Sequence, residues 1–239
     1  MGEIVFLILL HIFGDFYLQT NNIAIGKSNS YCNSNKFVNY KYLTLHSLLY
    51  TIPFSILFFF TEWWKCLLIL GICLISHWLM DLFTCWFKGK TKKTFAFLLD
   101  QSVHILFLFL IFDFFPFGLM LSENYLKIIY GLTIVLFLIK PSIVIVNHIF
   151  IDIFGISPSI DSEKFDVGAI IGVFERIIVL VLAIFNAITA VAIIVTVKTW
   201  ARNKDIKDNV DNFGNRYLVG TLCSISLALI AAYLWCKLI

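Results

Sequence analysis

Seven apolar stretches separated by polar connections set the pattern of this chain: roughly 3–19, 42–61, 65–87, 95–115, 125–147, 168–197 and 217–236. Each is close to or beyond the about 20 residues that a helix needs to cross the hydrocarbon of a bilayer. A backbone in lipid must satisfy its own polar groups, so the pattern predicts an all-α fold, a polytopic transmembrane helical bundle of about seven spans. Pro116 and Pro141 stand where helices should stop or kink, and Pro53 should bend the second stretch. Trp63, Trp64, Trp86, Trp200 and Trp235 fall near span ends, where an interfacial aromatic belt would place them. With no internal repeat, the reading is one integral membrane domain over 1–239, with a four-helix half at 1–120 and further helices at 121–239.

The polar interruptions are few and patterned. Four of the five histidines have an aspartate four residues away: His11/Asp15, His77/Asp81, Asp100/His104 and His148/Asp152. Ten aspartates scattered at random would give about 0.4 such pairs, and four residues is the spacing that shares one helix face. Counted inward from the cytoplasmic ends, Asp15, Asp81 and Asp100 lie roughly 6–9 Å deep and His11, His77 and His104 roughly 12–15 Å deep, at about 1.5 Å per residue. His46 on the second span lies near the aspartate level. The order is His-then-Asp on two spans and Asp-then-His on the oppositely directed one, as matched depths require.

Ionisable groups in hydrocarbon are costly and mark function. An imidazole and a carboxylate four apart can hold one ion together, or the carboxylate can fix the tautomer of the ring. Interhelical hydrogen bonding is the structural alternative. His148/Asp152 falls at the end of a span beside a polar turn and reads first as a solvated pair. Gln19 and Gln101 flank the motifs as substrate donors or helix-end caps. Glu175 and Arg176 interrupt the sixth apolar stretch. Arg176, with Arg202, is a candidate for an anionic headgroup or phosphate, or for a structural ion pair.

Composition excludes a water-soluble enzyme. The chain is 60% hydrophobic and 14% charged, with a mean hydropathy of +0.92, against about 45–50% and about 25% in soluble domains. A net charge of +3 without basic runs argues against nucleic acid as a partner. Six cysteines without a C-x-x-C pair read as buried thiols. The first apolar run lacks a basic leader region and carries Glu3, so it is expected to stay in the mature protein.

Loop charges set orientation. Lys27, Lys36 and Lys41 in the first loop and Lys88, Lys90, Lys92 and Lys93 in the third put both on the cytoplasmic side. Lys198, Arg202, Lys204, Lys207 and Arg216 should lie there too, yet strict alternation of seven spans puts them outside. Either a later segment is re-entrant or the count is off by one.

The stretch His11-Ile-Phe-Gly-Asp15-Phe-Tyr-Leu-Gln19, followed by His46, His77-x-x-x-Asp81 and Asp100-Gln101-x-x-His104, resembles an uncharacterised bacterial membrane family, a domain of unknown function. Its pattern reads H-x-x-G-D-F-x-L-Q, H, H-x-x-x-D and D-Q-x-x-H. Gly168-x-x-x-Gly172-x-x-Glu175-Arg176 and the stretch from Lys198 to Thr221 are similar to the second half of its longer members. The layout is also distantly similar to membrane-bound metal-dependent hydrolases, whose intramembrane histidines and aspartates are taken to hold a divalent ion.

The function expected is therefore a bacterial inner-membrane, metal-dependent hydrolase, acting on an ester or phosphoester of a lipid-like or isoprenoid-linked substrate near the cytoplasmic leaflet. Its ligand set would be His11, Asp15, His46, His77, Asp81, Asp100 and His104, around one or two ions of zinc, manganese or iron. One of Asp15, Asp81 and Asp100 would serve as general base. Gln19, Gln101, Glu175, Arg176 and Arg202 would meet the substrate. The rival is a transporter of divalent cations or protons using the same cluster as its transit site; a third reading is a scaffold or sensor.

Overall fold

The structure is a computed structural model and describes residues 2–29, 40–88, 91–116, 118, 122–155, 167–208 and 210–238. Cys32, Lys36, Lys90 and most of the acidic turn 152–166 lie outside the described residues, as do the side chains of Cys85 and Trp86. The described residues are helical throughout, with turns between, and form two compact units, Met1–Thr133 and Ile134–Ile239.

The first unit starts with α1 (Gly2–Ile12), which runs into one π-helical turn, Phe13–Tyr17, and then α2 (Asn21–Asn29). α3 (Tyr40–Thr51) tightens into a 3₁₀ helix, Ile52–Phe59, at Pro53, whose ring cannot continue the α-helical ladder. The proline thus changes the helix type where the sequence predicted a bend. α4 (Trp63–Lys88) and α5 (Lys93–Phe114) follow, the latter ending just before Pro116. Their core joins Leu7 and Leu10 of α1 to Tyr50, Phe54 and Leu57, to Ile69 and Cys73 of α4, and to Leu108 and Ile111 of α5. Outward positions are apolar instead of polar: Ile75 is 61% exposed and Leu106 62%. Asp15, Lys27, Asp81 and Asp100 are buried, whereas Lys41, Lys93 and Asp113, near helix ends, are exposed.

In the second unit α6 (Glu123–Ile139), which begins in the first unit, breaks at Lys140, and α7 (Pro141–Phe154) starts on the proline. Gly155 closes α7 at φ 68°, the left-handed C-cap that glycine adopts without strain. α8 (Val167–Ile184) and α9 (Ile188–Ala201) are joined by a turn with Asn186 at φ 56°. The short α10 (Asn203–Asp208) and a 3₁₀ turn lead to α11 (Phe213–Leu238), which packs along α8 and α7.

Two sequence expectations change here. Among the described residues five helical stretches are long and apolar enough to cross a membrane: Tyr40–Phe59, Trp63–Thr84, Lys93–Phe114, Glu123–Phe154 and Phe213–Leu238. The chain is therefore a polytopic helical membrane protein, and the count of about seven spans is not reproduced. The stretch expected as one span at 168–197 is a helical hairpin. Lys198 Nζ on α9 meets Glu175 Oε2 on α8 at 2.7 Å; the 23 positions between them would separate the two by roughly 34 Å on one straight helix. A hairpin returns the chain to the side it entered from. The basic stretch after α9 then no longer conflicts with the charge rule, which strict alternation had forced.

Candidate metal centre

Four helices of the first unit each carry one histidine inward: His11 on α1, His46 on α3, His77 on α4 and His104 on α5. All four are at most 3% exposed. Asp15 comes from the π-helical turn after α1. A π turn adds a residue to the helical repeat and re-aims what it carries, and such turns recur at functional sites. Gly14 lets that turn approach α3, since a Cβ there would stand 2.6 Å from the carbonyl oxygen of Tyr50. This glycine is what brings Asp15 against His46.

Asp15 Oδ1 lies 3.0 Å from His46 Nε2. His46 Nε2 and His77 Nε2 face one another at 3.1 Å. The remaining separations are 3.8 Å from His77 Nε2 to Asp15 Oδ1, and 3.6 and 3.7 Å from Asp81 Oδ2 to His46 and His77 Nε2. Ligand atoms around a tetrahedral ion bound at about 2.0–2.2 Å stand about 3.3–3.6 Å apart, and the observed values bracket that range. The donor chemistry fits too. One N–H···N hydrogen bond can join the two rings at this distance, and a shared cation would satisfy both nitrogens along with the carboxylates. His77, Asp81 and His104 form a second convergence, with one donor atom each within 4.8 Å of the others. His104 Nδ1 donates to the carbonyl oxygen of Asp100 at 2.8 Å, which leaves Nε2 as the bare nitrogen; among the described residues it has no partner.

The other predicted ligands play different parts. Tyr50 donates its hydroxyl hydrogen to His11 Nδ1 at 3.2 Å, His11 Nε2 donates to Gln101 Oε1 at 3.2 Å, and Gln101 Nε2 donates to Asp15 Oδ2 at 2.8 Å. With both ring nitrogens engaged, His11 stands outside the two convergences and orients Asp15 through Gln101. Asp100 lies beside His104, its carboxylate 4.0 Å from Nδ1, and also falls outside the convergences. Gln19 follows the π turn, half-buried, with no hydrogen bond into the cluster among the described residues. Glu175, Arg176 and Arg202 belong to the second unit, as do His148 and Asp152 on α7.

Two participants escaped sequence reasoning. Lys27 of α2 is 8% exposed and its ammonium bonds Asp81 Oδ2; in the sequence it reads as a loop charge. Tyr50 stacks on His77 at 3.7 Å between centroids and 7° between planes, and fixes the ring from one face. A tyrosine in an apolar stretch gives no periodic signal. Its four-residue offset from His46 was the available clue.

Buried imidazoles and carboxylates drawn together from α1, α3, α4 and α5, inside an apolar exterior, define a polytopic helical membrane protein with a candidate intramembrane metal centre. The chain belongs to the family described as Protein of unknown function (DUF3307), whose profile matches residues 4–128. That match contains every member of the cluster and ends before α7, so the stretches around Glu175–Arg176 and Lys198–Thr221 lie beyond it. No curated protein and no solved structure matches the chain.

Proposed function

We propose that the first unit is a metal-dependent hydrolase of the bacterial inner membrane, cleaving an ester or phosphoester of a lipid-like molecule. The observation that carries this reading is the meeting of Asp15, His46 and His77 with their donor atoms between 3.0 and 3.8 Å apart. Those three residues would hold a divalent ion. Two nitrogens and a carboxylate suit zinc, manganese or iron. Such an ion supplies Lewis acidity, polarising an acyl or phosphoryl oxygen and lowering the pKa of a water.

The chain's own residues divide the remaining work. Asp81 Oδ2, 3.6 and 3.7 Å from His46 and His77 Nε2 and bonded by Lys27, would, if left uncoordinated, be the carboxylate able to accept a proton there. Lys27 balances its charge and offers N–H donors to an anion that develops beside it. Tyr50, His11 and Gln101 hold Asp15 in one orientation by the directed hydrogen bonds described above. A small cavity beside His77 and His104, of about 10 Å³ and walled in part by Cys73, Met80, Phe107 and Leu108, has room for about one water.

The test is elemental analysis of the detergent-purified protein beside His77→Ala and Asp15→Asn. Bound divalent metal in the wild type, lost in both variants, is the expected result; a wild type that carries none and takes up none of zinc, manganese or iron would overturn the reading. Turnover of lipid esters in micelles, where transport is undefined, then separates a hydrolase from a cation transporter built on the same residues.

A further inference from the structure

The second unit contains a cavity of about 480 Å³ that the metal centre does not use. Its polar wall carries Arg176 from α8, Lys198 and Arg202 at the end of α9, and Arg216 from α11, against one carboxylate, Glu175. Lys198 is matched by Glu175 at 2.7 Å and Arg202 by Asp205 at 3.2 Å. Arg176 and Arg216 have no carboxylate in salt-bridge contact among the described residues.

Arg176 is 3% exposed. Its Nε donates to the Leu138 carbonyl at 2.8 Å, which also accepts from the Ser142 hydroxyl, and Nη1 donates to Ser224 Oγ at 3.3 Å. Nη2 is buried without a partner among the described residues, as is Arg216 Nε. A buried guanidinium with a donor unused is costly unless something accepts from it. Gly172 leaves the space: a Cβ there would lie 3.2 Å from Arg176 Nη1. The lining also includes the apolar side chains of Ile143, Val146, Phe150 and Ile171.

We propose that this cavity binds the phosphate group of an amphiphile, with Arg176 and Arg216 on the phosphate and the apolar tail along Ile143, Phe150 and Ile171. Two unbalanced cations match the charge of about −1.5 to −2 on a phosphate monoester. Guanidinium forks match its oxygens better than point charges do. A carboxylate would leave one cation unmatched, and a neutral ligand would leave both. This reading stands independently of the metal centre.

The experiment is calorimetric titration of the full chain in detergent with a short-chain phosphatidic acid and, separately, with inorganic phosphate. Wild type is expected to bind saturably. Arg216→Gln is expected to weaken binding about tenfold or more, as loss of a charge-assisted hydrogen bond implies. Gly172→Leu, which keeps every charge but fills the space beside Arg176, should give a similar loss. Lys207→Gln, removing an exposed charge from α10, should bind within about twofold of wild type, and His77→Ala should bind unchanged, so that failure here and failure of the metal reading are distinguishable. Phosphatidic acid binding at least about tenfold tighter than inorganic phosphate supports a lipid phosphate; equal affinities overturn the amphiphile and leave a site for free phosphate. Absence of binding of either probe to wild type, or wild-type affinity in both Arg216→Gln and Gly172→Leu, overturns the proposal.

Discussion

Gly14→Ala tests whether the cluster depends on the close approach of the π turn to α3. The added Cβ would stand 2.6 Å from the Tyr50 carbonyl oxygen and 3.2 Å from its Cα, where ordinary contact begins at 3.4 Å. The nearest obstacle is backbone, so no rotamer change relieves it. The two segments must part by about 0.8 Å, the difference between 3.4 and 2.6 Å. Overpacking of this kind costs about 1–3 kcal/mol. The same displacement carries Asp15 away from His46, whose bond at 3.0 Å has little to spare. Metal affinity should therefore drop by about 10–100-fold, the scale seen when a ligand loses its orientation. Denaturant unfolding in detergent reads the stability, and cobalt or zinc titration reads the site. Wild-type stability together with wild-type affinity in Gly14→Ala would refute the argument that this glycine sets the geometry.

Other outcomes follow from single contacts. Tyr50→Phe keeps the ring stacked on His77 but removes the hydroxyl hydrogen bond to His11, so stability should fall by about 0.5–1.5 kcal/mol while zinc affinity falls several-fold; unfolding curves and metal titration check both. Lys27→Met removes the cation that balances the buried Asp81 carboxylate and should destabilise the metal-free protein by about 3–5 kcal/mol, with much of the loss restored by excess divalent ion, as melting curves with and without metal would record. In a cysteine-free background, Gly168→Cys and Asn203→Cys should react with an impermeant thiol reagent from the same side of sealed vesicles, because α8 and α9 form a hairpin; labelling from opposite sides would make them one crossing.

The helices were legible because lipid demands long apolar runs, and α4 and α5 appear nearly where the runs at 65–87 and 95–115 place them. The hairpin was not, because its turn, Phe185 to Ala187, holds one polar residue and neither glycine nor proline, so the apolar run passes through it unbroken. In the site, spacing of four on one helix face pointed to Asp15, His77, Asp81 and His104, and depth matching added His46. What spacing could not convey was which nitrogen each ring turns to the centre. The role of His11 depends on Gln101, 90 positions away, and that of Lys27 on a short helix in a stretch whose polar residues resemble a loop. Arg176 stood out as a charge in an apolar run, while its partner in the second cavity, Arg216, passed for an ordinary loop cation.

The partners of Asp15 also impose an order on biosynthesis. Asp15 is made with the π turn after α1, but His46 follows 31 residues later and Gln101 86 residues later. At about 5–20 residues per second the second interval lasts roughly 4–17 s. Throughout that interval a carboxylate destined for the interior has only part of its final company. The cluster closes when α5 arrives, so the last partner of Asp15 is made after α1, α3 and α4.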